Sequence, residues 1–204
     1  QMCIRDRNKE VLLPRAWQQM HSLTASGGSD KVKYFAGFGY VKQDALYGDT
    51  RTNKSTSGFN RYNARVNIDA NIVDKYLNLS ADMAYRQEDR NSIAGSTSDV
   101  FNNMHRNPQT DPGRFPDGNL GKVSLGVNPI GLATEGGWVK DRKSVLNTRF
   151  MLDFNVPGLE GLNLKGIFSY DKIFNSIKRW TTPVDFYVWN KITGEYDGHS
   201  PNRE

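Results

Sequence analysis

Polar and apolar residues alternate along six segments of the chain, and each segment predicts a β-strand. The clearest segment is YNARVNIDANI (62–72), in which the even positions are apolar and the odd positions are polar. Because successive side chains of a strand point to opposite faces, this stretch has one apolar and one polar face. The same pattern predicts strands over His21–Ser26, Val32–Lys42, Tyr62–Ile72, Tyr76–Gln87, Ser144–Val156 and Leu162–Ile173.

The connections between these strands alternate between short and long. Short turns occupy 27–31, 73–75 and 157–161, and the long segments are 43–58, 88–142 and the loop-like tail from Phe174. Within 88–142, a short helix is predicted over 98–107, capped by Asp99 and ended by Pro108. Long loops at one end only predict an antiparallel up-and-down meander, as in transmembrane β-barrels. A sandwich with Greek-key links has no reason to place every long loop at one end.

Tyrosines at the strand ends favour a membrane environment for the apolar faces. If the long loops are extracellular, four tyrosines lie on apolar faces near the outer ends of their strands, and a fifth lies near an inner end. Such rings form the aromatic girdles of membrane barrels, although tyrosine is also common in strands generally. The predicted girdle residues are Tyr34, Tyr40, Tyr62, Tyr85 and Tyr170.

The polar faces of the same strands would then line a water-filled lumen. The ten steps from Tyr62 to Ile72, tilted by roughly 40°, cover the apolar band of about 25 Å. The predicted lumen-facing residues are Asn63, Arg65, Asn67, Asp69, Asn78, Asp82, Arg149 and Asp153.

Composition narrows the classes of protein that fit. Only 37% of the residues are apolar, which is low for a compact soluble domain, where about 45–50% is typical on a count that also includes glycine. No segment reaches the roughly 18 apolar residues of a membrane helix. The net charge of +5 is scattered along the chain, so we expect no nucleic-acid partner.

The single cysteine, Cys3, lies in QMCIRDR, which resembles a translated adapter sequence. We therefore expect residues 1–7 to be a non-native scar and residues 8–204 to be part of a barrel.

The sequence contains no recognisable motif for catalysis or metal binding. The three histidines, His21, His105 and His199, match no metal-ligand spacing. Asp111 and Asp117 in TDPGRFPDGN are in Asp-Pro and Asp-Gly pairs, which usually form turns rather than calcium sites. There is no phosphate-binding loop, dinucleotide fingerprint or nucleophile elbow. We therefore predict neither an enzyme nor a bound cofactor.

Aromatic residues in the predicted extracellular segments are the better binding candidates, since rings can stack on sugars or contact a partner protein. For any single residue, packing within the loops is the competing explanation. The candidates are Phe115, Trp138, Trp180, Tyr187 and Trp189.

Several stretches in order resemble the front part of the barrel of SusC/RagA-type TonB-linked outer-membrane proteins. They are SLTASGGSDKVKYFAGFGYVKQ, FNRYNARVNIDANI, RNPQTDPGRFPDGN with the later NPI, and VPGLEGLNLKGIFSYD, within roughly 17–190. The stretch NKEVLLPRAWQQM matches the family poorly.

The resemblance implies an outer-membrane importer of oligosaccharides or peptides. It also implies energy coupling through the TonB complex, and a SusD-like surface lipoprotein over the extracellular mouth. A signal peptide, plug, TonB-contacting box and closing strands are not recognisable, so we expect a fragment that does not fold as a soluble monomer. Two alternatives remain: a soluble all-β carbohydrate-binding module, and an outer-membrane barrel of another type, such as an adhesin or a passive pore.

Overall fold

The computed structural model describes residues 9, 11–49, 54–55, 57–108, 110–159 and 161–199. Residues 1–7, predicted to be a scar, lie outside the described residues. The elements in chain order are β1 (Gln18–Gly28), β2 (Val32–Asp44), β3 (Gly48–Asp49), β4 (Lys54–Ser55), β5 (Gly58–Val73), β6 (Leu77–Ile93), α1 (Thr97–Arg106), α2 (Pro129–Thr134), β7 (Gly137–Asn155), β8 (Asn163–Thr181), β9 (Phe186–Asn190) and β10 (Glu195–His199).

Six long strands form one antiparallel sheet in the order β1-β2-β5-β6-β7-β8. Each strand pairs with the next long strand along the chain, so the predicted all-β fold and up-and-down meander are confirmed. The β1–β2, β5–β6 and β7–β8 turns lie at one end of the sheet, and the strand ends that lead into the long β2–β5 and β6–β7 connections lie at the other. The sheet is open, with β1 and β8 at its edges.

All six long strands extend further toward the long connections than the sequence pattern predicted, and three of them, β6, β7 and β8, do so by six residues or more. Strand β6 continues past Gln87 to Ile93, β7 begins at Gly137 rather than at Ser144, and β8 continues past Ile173 to Thr181. In these extensions both faces carry mostly polar side chains, so the alternation disappears although the backbone pairing continues.

Two predictions about loop aromatics are therefore wrong. Trp138 and Trp180, predicted in loops, are strand residues that face each other across β7 and β8. Tyr187 and Trp189, predicted in a loop-like tail, lie in β9, which pairs with β10 in a small separate sheet. Phe115 lies outside the helices and strands, as predicted.

The segment between β6 and β7 folds into a small cap that contains the helices. Ser96 is the N-cap of α1, and its hydroxyl accepts a hydrogen bond from the Ser98 amide at 3.2 Å. Asp99, predicted as the cap, lies instead in the first turn, where its charge favours the helix dipole. Asn107 ends the helix just before Pro108.

The second helix was not predicted, because it is a single short turn within a Gly- and Pro-rich segment. It begins with Pro129, a residue suited to the first helical position.

The hydrophobic core of the described residues lies in this cap, not on the sheet. It joins the cap to the chain before β1, the end of β6 and the start of β9. Its buried members are Val11, Ile93, Val100, Met104, Leu120, Ile130, Ala133, Val184 and Phe186.

Candidate functional site: a two-faced sheet and an aromatic cluster

The pairing register gathers uncharged side chains from all six long strands on one face of the sheet. Thr148 is the most polar member of this set, and the others are apolar, glycine or tyrosine. We define the apolar face as Leu23, Ala25, Gly27, Val32, Tyr34, Ala36, Phe38, Tyr40, Tyr62, Ala64, Val66, Ile68, Ala70, Ile72, Leu77, Leu79, Ala81, Met83, Tyr85, Leu146, Thr148, Phe150, Leu152, Phe154, Leu164, Gly166, Phe168 and Tyr170.

Much of the apolar face is exposed in the described part of the chain. Phe38 is 50% exposed, Ile72 56% and Phe168 63%. Contiguous apolar patches of this extent are rare on soluble monomers and mark surfaces that contact a partner or a membrane.

The tyrosines lie along a line that is oblique to the strands. Tyr40 and Tyr62 are directly paired, and their rings are 5.1 Å apart. Tyr85 pairs with Ala64, so it lies two residues further from the long loops. Tyr170 pairs with Thr148, which pairs with Met83, so Tyr170 lies a further two residues away.

From each strand to the next, the tyrosine line therefore moves by about one residue along the strands, away from the long connections. With about 3.3 Å per residue and 4.8 Å between strands, the line is inclined by about 35° to the perpendicular of the strands. Strands of transmembrane barrels tilt by 35–45°. If the sheet tilts by that amount in the direction of this line, the four rings lie at one height.

The apolar face ends at this tyrosine line. On the side of the long connections, the same face continues mainly with polar and charged residues on strands β2, β6, β7 and β8, although Phe174, Ile93, Trp138 and Trp180 on this face are apolar. The first positions beyond the line are Lys42, Gln87, Ser144 and Lys172, and Asp89 and Arg142 follow on β6 and β7.

The opposite face carries all eight of the residues that we predicted to face a lumen. At its centre, Arg149 Nε donates to Asp82 Oδ2 at 2.9 Å, and the Asn67 amide donates to the other oxygen of the same carboxylate. Arg65 Nε donates to Asn67 Oδ1 at 2.9 Å. We call Arg65, Asn67, Asp82 and Arg149 the polar network.

The polar network borders an open pocket on the sheet surface. On β7 and β8, Asn147 and Asp171 are joined by a hydrogen bond of 2.7 Å and line the pocket together with Arg65, Asp82 and Arg149. Nearer the short turns, Lys165 Nζ lies 3.9 Å from Asp153. The face therefore presents both donors and acceptors to a polar solute.

Three of the five predicted loop aromatics come together around one residue that the sequence analysis did not single out. Tyr196 in β10 lies 5.0 Å from Phe115, 6.5 Å from Tyr187 and 4.8 Å from Trp189, measured between ring centroids. We call these four rings the aromatic cluster. Tyr196 carries no sequence signal of its own, because it is brought to the others only by the β9–β10 hairpin.

The cap holds this hairpin in place through backbone hydrogen bonds. The Tyr187 amide donates to the Leu120 carbonyl at 2.8 Å, and the Lys122 amide donates to the Tyr187 carbonyl at 2.9 Å. Trp189 remains 45% exposed. The cluster therefore offers rings to solvent at the end of the sheet that carries the long connections.

Burial and the nearby Asp117 carboxylate, which accepts a hydrogen bond from the hydroxyl, raise the pKa of Tyr196 above its ordinary value. Both effects disfavour the phenolate. The hydroxyl therefore stays protonated and can donate a hydrogen bond at neutral pH.

Trp138 and Trp180 form a separate pair, away from the aromatic cluster. Both lie on the same side of the sheet as the apolar face, on the paired strands β7 and β8. They are six residues closer to the long connections than Ser144 and Phe174. Lys140 Nζ lies 4.6 Å from the centre of the Trp138 ring, and Trp180 is 62% exposed.

The described residues contain no group of three or more His, Cys, Asp or Glu side chains arranged to hold a metal ion. None of the helices among them is long and apolar enough to span a membrane.

No family model matches the chain. Nor does any curated protein match it significantly.

Proposed function

We propose that this chain forms part of the wall of an outer-membrane β-barrel that imports nutrient oligomers, either oligosaccharides or peptides. The observation that supports this most directly is the uncharged apolar face, which ends at an oblique line of tyrosines. The line has the inclination that a tilted barrel strand requires.

In this proposal the apolar face contacts lipid and the opposite face borders a hydrated channel. An uncharged band suits lipid, because charged side chains in the middle of a barrel wall are costly. The polar network suits a channel, since its side chains are largely satisfied by one another and remain open to water. Arg149 is 56% exposed although it is paired with Asp82.

The aromatic cluster and the Trp138–Trp180 pair lie on the extracellular side of this arrangement. The cluster would contact cargo or a SusD-like lipoprotein through its exposed ring faces. Trp189, which packs against Tyr196, has the most exposed ring of the cluster. The SusC/RagA-type resemblance supports such a partner, and energy transfer from the TonB complex would reach the barrel through other parts of the importer.

Import can be tested in the producing bacterium with an antibody against this chain. We expect the antigen in the outer-membrane fraction, and we expect deletion of the gene to abolish growth on one oligomeric nutrient while growth on its monomer continues. Antigen in the soluble fraction would contradict the proposal and favour the carbohydrate-binding module. Normal growth on every oligomer tested, with the antigen in the outer membrane, would favour a barrel of another type.

A further inference from the structure

Basic side chains are concentrated on the polar face of the sheet, between the polar network and the cap. The pairing register places five of them there on strands β5 to β8, together with two acidic side chains of the described residues. We define the basic patch as Arg61, Arg86, Arg90, Lys143 and Arg179. The two carboxylates belong to Glu88 and Asp141, so this region has three positive charges in excess.

The rest of the polar face, from the polar network to the short turns, is balanced in charge. Four basic and four acidic side chains of the described strands lie there. They are Lys33, Arg65, Arg149 and Lys165, with Asp69, Asp82, Asp153 and Asp171. The excess of positive charge on this face is therefore confined to the end that carries the long connections.

Glu88 does not neutralise the basic side chains around it. Arg86 Nε lies 3.4 Å from Glu88 Oε1. Arg61 and Lys143 occupy the positions paired with Glu88 on either side, yet neither forms an ion pair within the described part of the chain. Arg61 Nε is also buried without a hydrogen-bond acceptor among the described residues. Two cations beside Glu88 are therefore available to an anionic ligand.

The second carboxylate, that of Asp141, is paired in register with Arg90. The Arg90 guanidinium lies 5.9 Å from the centre of the Phe59 ring, on the neighbouring strand. Arg179 Nη1 donates to the Ala94 carbonyl at 3.4 Å, in the segment that leads into the cap. The basic patch thus extends from the polar network to the edge of the cap.

The size and chemistry of the basic patch indicate an elongated acidic ligand. The patch covers about 20 Å along the strands and about 14 Å across them. Its guanidinium groups can bind carboxylates through paired hydrogen bonds. Asn63 is paired with Arg86, and Asn175 with Lys143. Their amides both donate and accept hydrogen bonds, as the hydroxyl groups of a sugar do.

The aromatic cluster, in the cap at the same end of the sheet, favours a sugar over a peptide. The flat C–H face of a pyranose packs well on an exposed aromatic ring, and Trp189 is 45% exposed. An oligosaccharide whose units carry carboxylates would therefore use both surfaces, through its charges on the patch and its ring faces on the cluster.

We propose that the basic patch binds acidic oligosaccharides, whose units carry carboxylates, at the outer mouth of the channel. This inference rests on the proposed function, since that orientation makes the polar face a channel wall and places the patch on the extracellular side. Positive charge at the mouth of a channel attracts anionic cargo and increases its rate of arrival.

Binding is measured with the full chain in nonionic detergent micelles, from the fluorescence anisotropy of three labelled probes. They are a short oligogalacturonate, its neutral methyl ester and a short oligoglutamate peptide. We expect the oligogalacturonate to bind at least about tenfold more tightly than its methyl ester, because each exposed ion pair contributes about two- to threefold. We expect this difference to shrink as added salt screens the charges.

The variant Arg61→Gln/Arg90→Gln/Lys143→Gln removes three charges from the basic patch. We expect it to bind oligogalacturonate about tenfold more weakly than the wild-type chain, with its affinity for the methyl ester unchanged. The single variant Lys143→Gln is a milder test, because this exposed side chain forms no ion pair within the described part of the chain. We expect it to lose about two- to threefold in affinity.

The matched control variant, Lys140→Gln/Lys172→Gln/Lys178→Gln, makes the same change of charge on the opposite face of β7 and β8. We expect it to bind oligogalacturonate as tightly as the wild-type chain does. An equal loss in the control and in the patch variant would show that overall charge, and not the basic patch, attracts the probe.

Three further results would be decisive. Equal affinities for oligogalacturonate and its methyl ester, or no binding of either, would overturn the inference and leave the proposed function to its own tests. Tighter binding of oligoglutamate than of oligogalacturonate would assign the basic patch to acidic peptides and overturn the assignment to sugars. Selective binding of oligogalacturonate by a soluble monomer in plain buffer would support the binding site and contradict the proposed function.

Discussion

Asn128 shows how one buried side chain can organise a loop that has little regular structure. Its Oδ1 accepts a hydrogen bond from the Ile130 amide at 3.0 Å and so caps α2. Its amide nitrogen donates to the Gly113 carbonyl at 2.6 Å and to the Gly121 carbonyl at 2.8 Å. One residue that is 1% exposed therefore joins three segments of the cap.

Replacing Asn128 with alanine removes the helix cap and leaves two buried carbonyls without this donor. We expect the cap to lose about 2–4 kcal/mol of local stability. Hydrogen exchange of the α1 and α2 amides in detergent micelles measures this loss. Asn102→Ala, at an exposed position on α1, is the control, and similar exchange rates in both variants would contradict the role of Asn128.

Tyr196 and Asp117 provide a test of the aromatic cluster by pH. The raised pKa means that the folded state holds the phenolic proton more tightly than the unfolded state does. The contribution to stability is therefore complete below the ordinary tyrosine pKa near 10, and it is lost as the pH rises through the folded value. We expect Asp117→Asn to lower the pKa of Tyr196, while burial keeps it above the ordinary value.

The ionisation of Tyr196 is measured as the difference in phenolate absorbance between the wild-type chain and Tyr196→Phe. The same difference is then recorded in the Asp117→Asn background. An unchanged titration in that background would show that Asp117 does not act on Tyr196.

Residues such as Tyr196 and Asn128 could not be predicted from the sequence. Their roles depend on contacts between segments that are distant in the chain and that have no periodic pattern. Phe115, Tyr187 and Trp189 could be predicted as accessible aromatics, but their assembly around one ring could not.

At the scale of single elements, alternation predicts a strand only where its two faces meet different environments. The six strands were predictable along the apolar face for that reason. Their extensions toward the long connections were not, since residues such as Asp89 and Arg142 are polar on a face that is apolar further down. The misplacement of Trp138 and Trp180 in loops has the same cause.

Strand β6 offers a matched test of its two faces at one depth. Ala81 lies midway between Leu77 and Tyr85 on the apolar face, and Ser80 is its neighbour on the polar face. We expect Ala81→Arg to weaken insertion into vesicles by about 2–4 kcal/mol and Ser80→Arg to change it little. The partition of each variant between vesicles and urea solution measures the difference, and equal effects would contradict a lipid contact for the apolar face.

At the scale of the whole molecule, the described residues place their buried core in the cap and leave the six-stranded sheet with an exposed apolar face. Strands β1 and β8 also present sheet edges, which are prone to pair with other chains. We expect the chain to aggregate in buffer without detergent and to become monodisperse in micelles. Analytical ultracentrifugation distinguishes these states, and a monomer with a sharp two-state thermal transition in plain buffer would contradict the expectation.

The central claim is that one face of the sheet contacts lipid and the other contacts water. Spin labels on single cysteines test it directly, in a Cys3→Ser background, at the neighbouring pairs Val66 and Asn67 on β5 and Phe168 and Ser169 on β8. In lipid vesicles we expect the labels at positions 66 and 168 to collide with oxygen and those at 67 and 169 to collide with a water-soluble nickel complex. Equal access of the nickel complex to all four positions would contradict the account.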